Sequence, residues 1–351
     1  MTSMPSVRKR RLLMSAGVAA CLPVTAVLGL PRRARAAQRI TVVSYGGSYG
    51  DFIRDEFNKP FTAETGIDVA LTTGPDLAQV RAQVASKNIE WDVFDGAGPT
   101  ILAGSAENLW EPLDERAQSV ARMVVRPGRD RMPTFMFTGG IAWSPKKTPT
   151  PPRDFTQLWD VRQFPGRRGF RLRASETLEV ALLADGVEPW RMYPLDVDRA
   201  FASLNRIKRD VGKWFDQTGH GVSLIQSGEV DFTYTYANRV RAAREGGIDI
   251  DFSFDQNINA INYYAVTRGS PRREAAMRYL QFVTRPDRQS AMAWRMGFIP
   301  VSRDALLQMA NTDKKYWLPQ LANQKTVLLS DEFWRDRFVE VDKRFRQWVQ
   351  A

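Results

Sequence analysis

The stretch "VVSYGGSYGDFIRDEF", residues 42–57, runs from apolar β-branched residues through three glycines and two tyrosines into a segment carrying Phe52 and Phe57. This reads as a strand, a glycine-rich turn and a helix, the repeating unit of an open α/β sheet. A turn of this kind can hold a phosphate, a dinucleotide or another small solute at the start of its helix. "YGGSYG" lacks the lysine and hydroxyl that close a P-loop, and its spacing is not G-x-G-x-x-G. Phosphate-driven chemistry is therefore not expected of it.

The same alternation extends outward. "RITVVSY" is a buried strand, and Phe52, Phe57 and Phe61 mark a helix face that Gly66 ends. "IDVALTT" returns as a strand, Leu77, Val80 and Val84 lie at helical spacing, and "WDVFDG" is a third strand. A second α/β region follows the proline-rich "SPKKTPTPPRDF", with helices expected at about 175–183, 197–208 and 222–226, and a strand at "VDFTYTY". "GIDIDFSF" and "AINYYAVT" read as further strands, and "SPRREAAMRYLQFVTRP" as one helix. In the closing helix Trp334, Phe338, Val341, Phe345 and Trp348 form one apolar stripe, which reads as core. The expected architecture is α/β with two lobes, each an open, mostly parallel sheet flanked by helices. Two crossover hinge segments are expected near 139–145 and 257–263. Lobe 1 then comprises residues 38–140 plus about 262–300 and lobe 2 residues 141–261, with 301–351 as C-terminal helices packing on the lobes.

Residues 1–37 are set apart as an export signal. A basic stretch, Arg8 to Arg11, precedes an apolar run and the small-residue site "ARAA". Arg10 and Arg11 fit a twin-arginine signal, and an ordinary secretory signal has the same features. Cleavage is expected after Ala36 or Ala37, which places the mature protein in the periplasm. The sole cysteine, Cys21, follows "VAA" as in a lipoprotein site, but the apolar run continues beyond it, so the mature chain is expected to lack thiols and disulfides. The net charge is +11, yet seven cations and no acid lie in the first 36 residues, leaving +4 for the rest. The remaining cations are interleaved with acids, which argues against a nucleic-acid partner.

No catalytic constellation is evident. His220 is the only histidine, it sits in the glycine-flanked loop "TGHG", and no serine occupies a G-x-S-x-G elbow. A binding protein remains, and in open α/β sheets the ligand crevice lies beyond the carboxyl ends of the strands. Those ends are Tyr45, Gly46, Gly47, Ser48 and Tyr49, then Asp95, then Tyr236, and then the segment containing Asn262 and Tyr263. Tyrosine faces suit the alkyl part of an ammonium solute, and carboxylates suit its charge.

In order and spacing, "SYGGSYGDFIRDEFNKPFTAETGIDV", "FTQLWDVRQFPGRRGFRL", "SGEVDFTYTYANRVRAAREGGIDIDF" and "AAMRYLQFVTRPDRQSAMAWRMGFIPVS" resemble the bacterial periplasmic solute-binding proteins of ABC importers, of the spermidine/putrescine-binding type. The resemblance covers essentially the whole mature chain. It implies closure of two lobes over a small solute, delivery to an ABC permease in the inner membrane, a monomer, and no cofactor, metal or catalysis. It also implies an aromatic in the first loop, matched by Tyr45, and an acid pair three apart, matched by Glu176 and Glu179. The family tryptophan after the "GEV" strand is replaced by Tyr236, a first-loop glutamate by Gly47 and a late aspartate by Asn262. With fewer anions, a monoamine or amino acid derivative gains ground over a long polyamine. Glu176 and Glu179 have a second reading, as acids at the positive end of a helix capped by Ser175. Two other solute classes stay open: a ferric ion held by paired phenolates such as Tyr263 and Tyr264, and a phosphonate or carboxylate held by Arg239 or Arg173. An exported enzyme on the same scaffold would need a nucleophile with a base beside it, and the sequence offers none.

Overall fold

The structure is a computed structural model that describes residues 39–114, 123–310 and 325–351. The expected export signal, Cys21 and the cleavage site lie outside these residues. Among them run eleven strands: β1 (Arg39–Ser44), β2 (Asp68–Thr73), β3 (Val93–Ala97), β4 (Met132–Trp143), β5 (Arg168–Arg171), β6 (Val211–Phe215), β7 (Phe232–Tyr236), β8 (Asp251–Phe252), β9 (Ile258–Val266), β10 (Ile299–Pro300) and β11 (Val327–Leu328). Eight of them follow the order β2-β1-β3-β9-β4-β7-β5-β6 in one continuous sheet.

The two outer wings are parallel, as the alternation of strands and helices predicts. β1 pairs in parallel with β2 and β3, and β5 pairs in parallel with β6 and β7. The centre is antiparallel. β4 and β9 pair from Met132 with Tyr264 to Gly139 with Ile258. On its other edge β9 pairs with β3 over Asn262–Val266, and β4 pairs with β7 over Gly139–Trp143. Along its length each runs between one apolar cluster, at Met132, Met136, Ile261 and Tyr264, and the other, at Ile141, Trp143, Ile258 and Ala260. Each long strand therefore belongs to both wings, and the lobes are halves of one sheet rather than two separate sheets.

Each wing buries its own apolar cluster. Val42, Phe57, Phe94, Met132, Tyr264 and Leu280 belong to the first, and Ile141, Phe170, Leu178 and Leu204 to the second. A satellite cluster around Leu224, Val240 and Phe252 backs β7 and β8. The closing helix, Asp331–Gln350, sends Trp334, Val341 and Phe345 into the second cluster, with Phe338 and Trp348 packed at its edge. Its stripe is core, as read from the spacing. Three local expectations change. "GIDIDFSF" keeps only the two residues of β8, while Asp249 accepts a hydrogen bond from the Ser144 hydroxyl through its side chain. The single helix expected over "SPRREAAMRYLQFVTRP" ends at Val283, and Pro286 starts another, Pro286–Met296. Arg168–Arg171, read as no particular element, is a fully buried strand.

Candidate functional site

The carboxyl ends of β1, β3, β5 and β7 open onto one cleft of about 470 Å³. Its first wall begins where β1 ends, at Tyr45. Gly47 follows with φ +64, a left-handed conformation that a side chain would strain, and starts the helix Gly47–Phe52. Tyr49 then packs edge-on against Phe135 and Phe298, which stack on each other with centroids 4.2 Å apart. β3 contributes Gly98 and Pro99 at the start of the helix Gly98–Ala106. Gly98 is required by close approach, since a Cβ there would collide with the Asp331 carboxylate.

The second wall is charged. Arg171 ends β5, and Arg173 and Glu176 follow it into the cleft. Arg171 Nη1 donates to Tyr236 Oη at 2.7 Å, and Tyr236 Oη donates to Glu176 at 2.9 Å. Tyr234 Oη also donates to Glu176 Oε2, at 2.9 Å. Burial, and next the neighbouring Glu176 charge, hold both phenols well above their ordinary range, so they remain donors. Glu176 has φ +76 and ψ −43, an uncommon conformation for a non-glycine residue and one that costs about 1–3 kcal/mol. Glu179 holds it there: its Oε2 accepts the Glu176 N–H at 2.8 Å, while its Oε1 accepts from Tyr193 Oη and Trp334 Nε1, each at 2.6 Å. Asp342 accepts the Ala174 N–H, so the closing helix braces the turn at two points.

Of the residues singled out in the sequence, Tyr45, Gly46, Gly47, Ser48, Tyr49, Arg173, Glu176, Tyr236, Arg239 and Asn262 line the cleft. Asp95, Glu179 and Tyr263 do not. Asp95 is fully buried beneath the floor and accepts hydrogen bonds from Ser44, Tyr49 and Asn262. It ties the end of β1 and the middle of β9 to β3, and burial pushes its carboxyl up to about 6 against the pull of those donors. Glu179 is the turn brace just described, so the two glutamates do not act as a pair. Ser175 is not the helix cap either, since its buried Oγ has no hydrogen-bond partner. Tyr263 donates to Asp331, whereas Tyr264, pointing to the other face of β9, stacks on Tyr279 in the first core. Two phenols so divided do not converge on one ion. His220 is exposed at the start of the helix His220–Ser227.

Sequence reasoning missed Arg171, Asp331 and the phenylalanines 135, 137 and 298, all of which line the cleft. Arg171 stands at a strand end and was open to the strand-end rule once "RGFR" is recognised as a strand. Asp331 carries no such signal. It reaches the cleft from the first turn of the closing helix, where an acid is ordinary.

Residues 56–320 match the family described as bacterial extracellular solute-binding protein. The chain belongs to that family. A γ-aminobutyric acid-binding protein of Pseudomonas aeruginosa is 30% identical over 325 residues, covering 89% of this chain and 91% of that protein. An ABC transporter substrate-binding protein from Bradyrhizobium japonicum superposes with a TM-score of 0.82 at 29% identity, covering 89% of this chain and 99% of that one. The Atu4243-GABA receptor gives the same TM-score at 27% identity, covering 89% and 98%. A spermidine/putrescine substrate-binding protein from Streptococcus pneumoniae shares the fold at 15% identity and a TM-score of 0.72, covering 89% and 99%, a likeness of architecture alone. This family of extracellular solute-binding proteins serves ABC transporters. Among the described residues no helix is long and apolar enough to cross a membrane.

Proposed function

We propose that the protein captures a small zwitterionic amino-acid derivative of the 4-aminobutyrate kind, closes its two lobes over it, and presents it to a membrane permease. The observation that carries this reading is the mixed charge of one aromatic-walled cleft: Arg171, Arg173 and Arg239 face it together with Glu176 and Asp331. The Nε groups of Arg171 and Arg173 are buried without an acceptor, a cost that a solute carboxylate would remove. A polyamine would instead bring two or more ammonium groups beside three guanidinium groups, and like charges in a partly desolvated cleft repel. The likeness to γ-aminobutyrate-binding relatives supports the same solute class. The excess of guanidinium over carboxylate groups also favours a second reading, a solute with a further anionic group, such as an aminophosphonate.

Hinge motion is assigned to β4 and β9, the strands shared by both wings. Tyr45, which is 44% exposed at the cleft mouth, then becomes a cover over the solute on closure. Calorimetric titration with 4-aminobutyrate, 2-aminoethylphosphonate and putrescine tests the reading. Binding of either amino acid derivative with no heat from putrescine supports it, and tight binding of putrescine alone overturns it. Conversion of a bound solute to product, followed by mass spectrometry, would instead make the protein an enzyme.

A further inference from the structure

Two carboxylates line the cleft, and the structure distinguishes them. Glu176 is already engaged: Oε2 accepts from Tyr234 Oη at 2.9 Å, and the one Tyr236 hydroxyl proton serves Oε2 at 2.9 Å with Oε1 beside it at 3.1 Å. Asp331 is only half satisfied. Its Oδ2 accepts from Tyr263 Oη at 2.9 Å, while its Oδ1 is buried with no hydrogen-bond partner. The residue as a whole is 6% exposed. Oδ1 is the atom that a side chain on Gly98 would meet, and Gly98 lines the same cleft. The guanidinium of Arg131 lies 5.8 Å above the Tyr263 ring and pairs with Asp130 rather than Asp331. A buried carboxylate oxygen without a donor is costly, and because Oδ1 is covered only by the side-chain-free Gly98 at the cleft wall, a small shift there on closure lets a donor arriving with the solute remove that cost.

We infer that Asp331, rather than Glu176, receives the ammonium group of the solute and sets the preference for an amino acid over its des-amino analogue. Glu176 is then a positioning residue. It orients Tyr236, which accepts from Arg171, and so it acts on the carboxylate end of the solute. The inference rests on the zwitterion reading. It adds that the preference resides in the closing helix, whose Trp334 and Asp342 also brace the turn carrying Glu176.

The test is calorimetric titration of wild type, Asp331→Asn and Glu176→Gln with 4-aminobutyrate and with butyrate, comparing the ratio of the two dissociation constants. Wild type should prefer the amino acid by about tenfold or more, the scale of a hydrogen bond to a charged group. Asp331→Asn should bring that ratio to within about threefold of unity. Glu176→Gln should weaken both solutes and keep the ratio. Asp331→Glu, which retains the charge one methylene further out, should shift the preferred solute toward 3-aminopropanoate, and it serves if Asp331→Asn does not fold. A wild-type ratio retained in Asp331→Asn, an unshifted preference in Asp331→Glu, or a ratio lost only in Glu176→Gln overturns the inference and leaves the zwitterion reading standing. Failure of wild type to bind any of these solutes or 2-aminoethylphosphonate overturns the zwitterion reading itself.

Discussion

Tyr236 is the residue on which the charged wall turns. Its hydroxyl accepts from Arg171 and donates to Glu176, so one oxygen couples a cation and an anion that would otherwise need separate partners. Tyr236→Phe keeps the ring, which packs edge-on against Phe137, and removes only that coupling. Solute affinity should fall by roughly 10- to 100-fold, the scale of losing a hydrogen bond to a charged group. Titration calorimetry checks this, and an affinity within twofold of wild type would contradict it. Asp331 gives a second prediction at this scale. Burial raises its carboxyl to about 6, with Tyr263 and Arg131 opposing and Glu332 adding to the shift. An ammonium group needs the ionised form, so affinity is fully present well above pH 6 and is lost as the pH falls through it. Between pH 7.5 and pH 5 the loss for 4-aminobutyrate should be roughly tenfold. A flat profile over that interval would count against a contact between Asp331 and the ammonium group.

The turn and helix Ala174–Ala184 show why some of the site is legible in the sequence and some is not. Strands β1 and β7 are largely buried because both faces are covered, and their exits at Tyr45 and Tyr236 could be located from that pattern, whereas β3 runs two residues past Asp95 and leaves that acid inside the strand. β5 hides because arginines occupy it: Arg168 is fully buried, its guanidinium satisfied by the carbonyls of Leu158 and Phe164. No apolar pattern marks such a strand, so Arg171 at its end goes unseen. Glu176 and Glu179, three apart, look like neighbours on one helix face. The left-handed backbone at Glu176 turns it toward the tyrosines and leaves Glu179 beneath the turn, a divergence only the fold reveals. Glu179→Gln should therefore lower stability by about 1–3 kcal/mol, because an amide nitrogen replaces one of the two oxygens that accept from three donors between them. The pH dependence has a definite sign. Burial raises Glu179 from its ordinary 4.5 to about 7 against the pull of Tyr193 and Trp334. Its contribution to stability is complete below pH 4.5 and disappears as the pH rises through 7. Wild type should show a melting temperature that declines from pH 5 to pH 8, and Glu179→Gln a shallower decline. Identical slopes by scanning calorimetry would remove this assignment.

For the molecule as a whole, the decisive feature is that two α/β wings share β4 and β9 instead of being joined by loops. Closure by rotation about those strands should reduce the radius of gyration on adding 4-aminobutyrate, and Asp331→Asn should need a higher solute concentration for the same change. Small-angle scattering checks both, and superimposable profiles with and without saturating solute would contradict closure. The continuous sheet from β2 to β6 has a mechanical consequence. Opening need not rupture any backbone hydrogen bond, because it is a torsion of two ribbons, and a torsion spring has one resting angle. Distances between dyes placed on the two wings should accordingly form a single broad peak without solute, with no separate closed population, and a single shifted peak at saturating solute.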